Sequence, residues 1–270
     1  MATSRAAGLF IAGMRGAYPY HGAPGPPYHP RMSRVTIPLL ALAFGLSSFA
    51  AAETPTATSV EQRLAAVGKR VQRLQDLTEI EIVQHAYGYY VDKAQWRSLS
   101  DLFAEDATLE IGGKGIFVGR ERVFEYMTVG LGPIGPREGS LIDHQQFQCL
   151  PTVHDDGVTA EARCIAFVMS SGGWGHVYYE DDYVKQDGVW KFRKLHGPFN
   201  MYSGYKLGWL DQVTINTYPE KFPPWPDLPP AVMYLTYPSY YVEPFHYPNP
   251  VTGRKMPEPS PRAGGLAFGR

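Results

Sequence analysis

Asp92, His144 and His176 are the side chains of this 270-residue sequence best suited to passing protons between fixed positions. Asp92 ends the stretch Ala86-Tyr87-Gly88-Tyr89-Tyr90-Val91-Asp92, and Trp96 follows four residues on. Histidine titrates near neutral pH, so one ring can accept a proton while a second group donates one. A His-Asp-His set in an aromatic wall therefore has the parts for general acid-base chemistry without a cofactor. Tyr87, Tyr89, Tyr90, Tyr126, Tyr178 and Trp96 are the candidates for that wall and for holding a substrate. The competing assignment is a metal site, because the same three side chains are good zinc or iron ligands. No HxH, HExxH or CxxC spacing is present, and no Gly-x-Ser-x-Gly turn marks a nucleophile. The expectation is no metal and no cofactor. A single strand histidine is more often a packed or solvated residue; His85, His154 and His196 carry nothing that lifts them above that reading.

The elements that must position these groups are legible from periodicity. Apolar residues at 60, 64, 67, 71 and 74 have helical spacing, and a second helix is read from Thr78, with Thr78 as its cap, Glu79 and Glu81 in its first turn and a stripe of Ile80, Val83, Tyr87 and Tyr90. Asp92 falls on its last turn. A carboxylate is unfavourable at a helix C-terminus and, against aromatic rings, suits an acid or proton relay; the alternative is a solvated Asp that begins the turn into Lys93. Residues 96–103 read as a short helix, 107–111 as a strand, Gly112-Gly113-Lys114-Gly115 as a turn and 120–128 as a third helix. Residues 129–140 hold four Gly and two Pro with no apolar period, which fits a flap over a site or an inert connector.

Strands follow, punctuated by two hairpin signals, Asp156-Gly157 and Asp187-Gly188. Counting back from the first sets the only two cysteines, Cys149 and Cys164, opposite one another. They are read equally as a disulfide or as two buried thiols, and Pro151 warns of an edge or a bulge that would shift the register by one. The second hairpin sets Trp190 and Phe192 opposite Lys185 and Tyr183. Three helices followed by four or more antiparallel strands define an α+β fold, a curved sheet with helices on one face enclosing a conical pocket.

Net charge is -1 and no long basic run occurs, which excludes a nucleic-acid footprint and favours a small-molecule partner. Met32-Ser33-Arg34, an apolar run over 35–49 and Ala50-Ala51-Ala52 read as a signal peptide (32–52), so the mature protein is expected in the periplasm or secreted, with no stable membrane insertion after leader removal. Residues 1–31 read as a non-translated or disordered extension, 53–75 as an N-terminal linker and helix, 76–200 as the α+β domain and 201–270 as a Tyr/Pro-rich C-terminal arm. So many large aromatics argue for an ordered arm that wraps its own core, a neighbouring subunit or the pocket mouth.

The order of residues 80–96, Leu102-Phe103-Ala104-Glu105-Asp106-Ala107, Val118-Gly119-Arg120-Glu121, His144 and Lys185-Gln186-Asp187-Gly188-Val189-Trp190-Lys191-Phe192 resembles the SnoaL-like branch of the NTF2-like superfamily over about residues 70–200. That resemblance implies an NTF2-like cone of three helices on a curved antiparallel sheet, usually dimeric or trimeric and working without metal. The site pattern resembles scytalone dehydratases: Asp92 with Trp96, His144 as the first strand histidine, and His176 at or two residues from the second. Tyr89, Tyr90 and Tyr126 are weaker matches, while Asp143 before His144, Tyr178 and Tyr179 after His176, and the arm depart from the pattern. A second likeness is to cofactor-independent lyases of lignin-derived diarylpropane diols. The reaction expected is loss of formaldehyde from such a diol to give a stilbene, with His144 as base, Asp92 orienting it and His176 as the proton donor or second relay. Dehydratase or ketosteroid-isomerase-like chemistry, and a non-catalytic periplasmic module for an aromatic ligand, are the alternatives.

Overall fold

A computed structural model describes residues 59–209, 223–232, 236 and 245–256. The expected leader and residues 1–31, with much of the arm, lie outside the described residues. Helix α1 (Val60–Asp92) is one uninterrupted helix where two were expected. Ser59 caps it through a reciprocal capping box with Gln62. Thr78 is not a cap: its hydroxyl donates to the Leu74 carbonyl within the helix, so nothing interrupts the backbone ladder there. Helix α2 (Trp96–Ser100) and strand β1 (Phe103–Ile111) follow, the strand starting four residues earlier than expected. After β2 (Ile116–Val118), α3 (Arg120–Glu125) runs into a π-helical turn, Tyr126–Leu131.

Five strands complete the sheet: β3 (Ile142–Val153), β4 (Thr159–Ser170), β5 (Gly173–Gln186), β6 (Val189–Gly197) and β7 (Phe199–Ser203). The order is β2-β1-β6-β5-β4-β3, and β7 pairs with the first half of β5. Every pairing is antiparallel except β1 with β6, which is parallel. The α+β cone is therefore present, with helices on the concave face and one parallel pair inside it.

Two buried polar bolts tie α1 to the sheet. Asp76 accepts hydrogen bonds from Lys185 Nζ at 2.6 Å, Trp190 Nε1 at 3.1 Å and Gln72 Nε2 at 3.1 Å. Gln84 Oε1 accepts from the Tyr183 hydroxyl at 2.6 Å. Each satisfies a donor that burial would otherwise orphan. On the same face Tyr87 meets Phe103, Tyr179 and Phe192 edge-on, in one core cluster with Ile80 and Val91.

The Asp187-Gly188 hairpin has the left-handed pair of φ values, 52° and 79°, that a primed turn needs, and it sets Lys185 opposite Trp190 and Tyr183 opposite Phe192. The loop at Asp156-Gly157 is wider than a two-residue turn, because Asp156 accepts from the Val158 and Thr159 amides. Its register nevertheless follows the expected count up to Leu150 opposite Arg163. A bulge at Gln148, φ 52°, then moves Phe147 opposite Ile165, one residue off. Cys149 sits in that bulge on the outermost strand and is disulfide-bonded to Cys164.

The described parts of the arm wrap its own core. Leu228 bridges Ile116 on the edge of β2, and Asp227 accepts from the Val118 amide at 2.8 Å and from Arg122 at 3.0 Å. Arg122 also binds the Trp225 carbonyl. Farther along, Glu110 accepts from the Ala231 amide at 2.9 Å, and Phe245 lies 4.1 Å from the Arg163 guanidinium. Among the described residues no helix is long and apolar enough to cross a membrane.

Candidate active site

Asp92 lies on the last turn of α1, and β3 crosses that turn closely because of Gly88. A Cβ at Gly88 would sit 2.8 Å from the Gln146 carboxamide and 3.4 Å from His144 Cβ. With the strand this close, Asp92 Oδ1 accepts from the His144 backbone N–H at 3.0 Å and lies 2.8 Å from ring Nδ1. Both side chains are about nine-tenths buried, at 9% and 11% exposure. The solvated alternative for Asp92 is therefore overturned. A carboxylate oxygen can only accept, so Nδ1 carries a proton, and in that tautomer of the imidazole the lone pair is at Nε2.

His144 lines a cavity of about 160 Å³ whose other walls include Tyr87, Tyr126, Tyr179 and Lys114. Burial pushes the Tyr87 and Tyr179 phenols above their ordinary range, with neighbouring Tyr179 and Tyr126 adding to the effect on Tyr87 and Asp181 and Asp92 to that on Tyr179. These phenols keep their protons near neutral pH and can donate hydrogen bonds into the cavity. Lys114 Nζ lies 3.4 Å from the Tyr126 hydroxyl, and that neighbour raises its pKa, outweighing burial. The cavity thus brings together an imidazole, three phenols and one ammonium group.

Lys114 is held from outside. Its turn has left-handed φ at Gly112, Gly113 and Gly115, and a Cβ on Gly115 would sit 2.5 Å from Pro226 of the arm. The arm's bridge to Ile116 closes over that turn.

Several expected residues fall elsewhere. His176 and Tyr178 project from the opposite face of β5 from Val177 and Tyr179, because successive strand residues alternate. His176 instead meets the edge of Tyr178 at 5.0 Å, its Nδ1 is buried without a partner, and burial lowers its pKa. Tyr89 is 73% exposed on the outer side of α1. Tyr90 is half-buried against the core and does not line the cavity. Trp96 is buried behind Asp92, donating to the Gly132 carbonyl at 2.8 Å, and so fastens the 129–140 segment across the end of α1. Gly135 adds a backbone bond to Ala94. Lys114 and Tyr179 are the site residues that sequence reasoning missed. Among the described residues no group of three or more His, Cys, Asp or Glu is arranged to hold a metal ion.

Comparison with known proteins finds the SnoaL-like domain family matching residues 72–196. No curated protein matches the chain. Similar solved structures include a putative scytalone dehydratase from Novosphingobium aromaticivorans, 20% identical over 52% of this chain and 93% of that one, TM-score 0.42. Another is a hexachlorocyclohexane dehydrochlorinase, LinA-type3, from Novosphingobium barchaimii, 21% identical over 50% and 93%, TM-score 0.43. A third is a function-unknown protein from Mycobacterium tuberculosis, 20% identical over 47% and 77%, TM-score 0.41.

Proposed function

Because residues 72–196 form a SnoaL-like domain of the NTF2-like superfamily, we propose that the chain is a small-molecule-converting enzyme, a cofactor-independent lyase acting on a phenolic substrate with a benzylic hydroxyl. The observation that carries this reading is the Asp92-His144 pair facing an aryl-sized cavity that also contains the Lys114 ammonium. A cavity of about 150 Å³ accepts one benzene ring. One ring of a diarylpropane-1,3-diol fits inside, and the second ring extends through the mouth.

The chemistry follows from which groups can hold protons. Lys114 and the Tyr126 hydroxyl stabilise the substrate phenolate, and a buried tyrosine, Tyr87 or Tyr179, donates to the departing benzylic hydroxyl, which leaves as water. The ring becomes a quinone methide. His144 Nε2 then removes the proton of the neighbouring primary hydroxyl; the adjacent carbon–carbon bond breaks, formaldehyde departs, the bonding pair restores the phenolate as the stilbene double bond forms, and the proton held by His144 returns to the tyrosinate. His176 has no part in this sequence, and its assigned donor role passes to the tyrosines. The Cys149–Cys164 disulfide supports export to an oxidising compartment, the periplasm or beyond.

The test is incubation of the purified, chelator-treated protein with a phenolic diarylpropane-1,3-diol and with an analogue lacking the primary hydroxyl. Stilbene with stoichiometric formaldehyde, abolished in His144→Ala, is the expected result. Turnover of the analogue alone would reassign the site to dehydration. Tight binding of both compounds with no turnover would leave a binding module and overturn the enzyme.

A further inference from the structure

Helix α1 has a second apolar face, pointing away from the sheet. Val60, Leu64, Val67, Val71 and Leu74 are 50% to 75% exposed, and Ile82 and Tyr89 continue the line at 60% and 73%. None of residues 60–75 is buried. The first sixteen residues of the helix thus bury no side chain in the core, and residues 60–71 also precede the matched SnoaL-like domain. Steps of four and three residues are those of a helix–helix seam. The seam runs the length of the helix, about 45 Å for thirty residues at 1.5 Å each.

We propose that this face is the interface with a second copy of the chain, the two α1 helices packed antiparallel. Charge selects the direction. Arg63 and Arg70 flank the seam on one side of the N-terminal half and Glu81 continues that flank, while Lys69 and Arg73 turn to the sheet side with Val153 and Asp155, and Asp76 points inward to Lys185. A parallel pair would bring Arg63 and Arg70 level with the partner's own arginines. An antiparallel pair brings Arg70 of each chain beside the partner's Glu81.

A two-fold axis between Leu74 and Gln75 places Val60 opposite the partner's Tyr89, Val67 opposite the partner's Ile82 and Val71 opposite the partner's Thr78. Arg70 then lies on the same flank as the partner's Glu81, and the contact repeats itself across the axis, as an isologous interface requires. Two helices in contact over this length bury about 1,000 Å², the lower bound for a specific interface. None of the seam residues lines the cavity, so association and catalysis are separable.

Sedimentation velocity and light scattering on the full chain across a concentration series test this. The expected species is a dimer, twice 30.1 kDa. Val67→Asp should give a monomer with unchanged circular dichroism and unchanged turnover or ligand binding. Arg70→Glu should weaken the dimer about tenfold, and the double variant Arg70→Glu/Glu81→Arg should restore it. Wild-type protein that is monomeric throughout, a trimeric mass, or a dimer indifferent to Val67→Asp would each overturn the proposal. Failure of the charge swap to rescue would overturn the antiparallel arrangement. A monomer that pelleted with phosphatidylserine vesicles but not with phosphatidylcholine vesicles, and lost this with Val67→Asp, would give the face to a bilayer instead.

Discussion

Asp92 Oδ1 engages two nitrogens of one residue, the backbone N–H of His144 at 3.0 Å and its ring Nδ1 at 2.8 Å. One oxygen thereby fixes the height of β3 on α1 and the tautomer of the imidazole. The two functions separate by mutation. His144→Ala should lower kcat by 10² to 10⁴-fold, the range for losing a general base, with substrate binding retained by calorimetry. Asp92→Asn keeps an oxygen for the backbone N–H but can also donate to Nδ1, which favours the wrong tautomer. It should lower kcat with KM nearly unchanged and cost about 1 kcal/mol or less in urea denaturation.

Lys114 is the one cation placed in the cavity wall, so its removal should act on the ionisation of a bound phenol. In Lys114→Met the pKa of a bound nitrophenol, read by absorbance, should rise by about one unit or more, and kcat should fall about 10²-fold. A variant that lost affinity with no spectral shift would show that Lys114 holds the ring without stabilising its charge.

His196 supplies a pH dependence of stability. Burial, with Lys194 beside it, pushes its pKa down to about 4, and Glu110 Oε2 lies 3.7 Å from its Nε2. An unfolded histidine titrates near 6.5, so between about 6.5 and 4 the unfolded chain binds the extra proton and stability falls as pH falls. The loss over that window reaches about 3 kcal/mol. Glu110 and Asp181, both raised by burial, have the opposite sign: their contribution is full below ordinary carboxylate values and is lost as pH rises through their raised ones. Urea unfolding of wild type and His196→Asn at a series of pH values isolates the histidine, and the variant should lack its share of the acid slope.

The disulfide closes a loop of 15 residues, which in the chain-entropy account is worth about 3 kcal/mol. Cys149→Ala/Cys164→Ala should lose about that much in urea denaturation while retaining turnover, since neither residue lines the cavity. The same loss should follow when reductant is added to wild type and be absent in the double variant.

What could be read from the chain followed local rules. Asp92 and His144 were recognisable because a polar group ending an apolar helix and a histidine in a strand keep their meaning in any register. The Asp187-Gly188 hairpin fixed its own pairing. His176 and Tyr178 failed for the complementary reason: alternation places residues on two faces, and only contact with α1 decides that Val177 and Tyr179 take the inner one. Lys114 was hidden in what reads as a glycine turn, because its burial comes from the π-helical turn and the arm, a dozen and more than a hundred residues away. The break expected at Thr78 was absent because a threonine can return its hydroxyl bond to the preceding turn and remain within a helix.

The strap over Lys114 joins positions 109 residues apart, as in the bond from the Val118 amide to Asp227. All seven strands and the Asp92-His144 pair precede it in the chain. During synthesis or refolding, the sheet and its base can form before the segment that seats the ammonium arrives. Compactness and chemical competence are thus reached at different times: a chain shortened after β7 should keep the circular dichroism of the core yet handle its substrate as if Lys114 were missing.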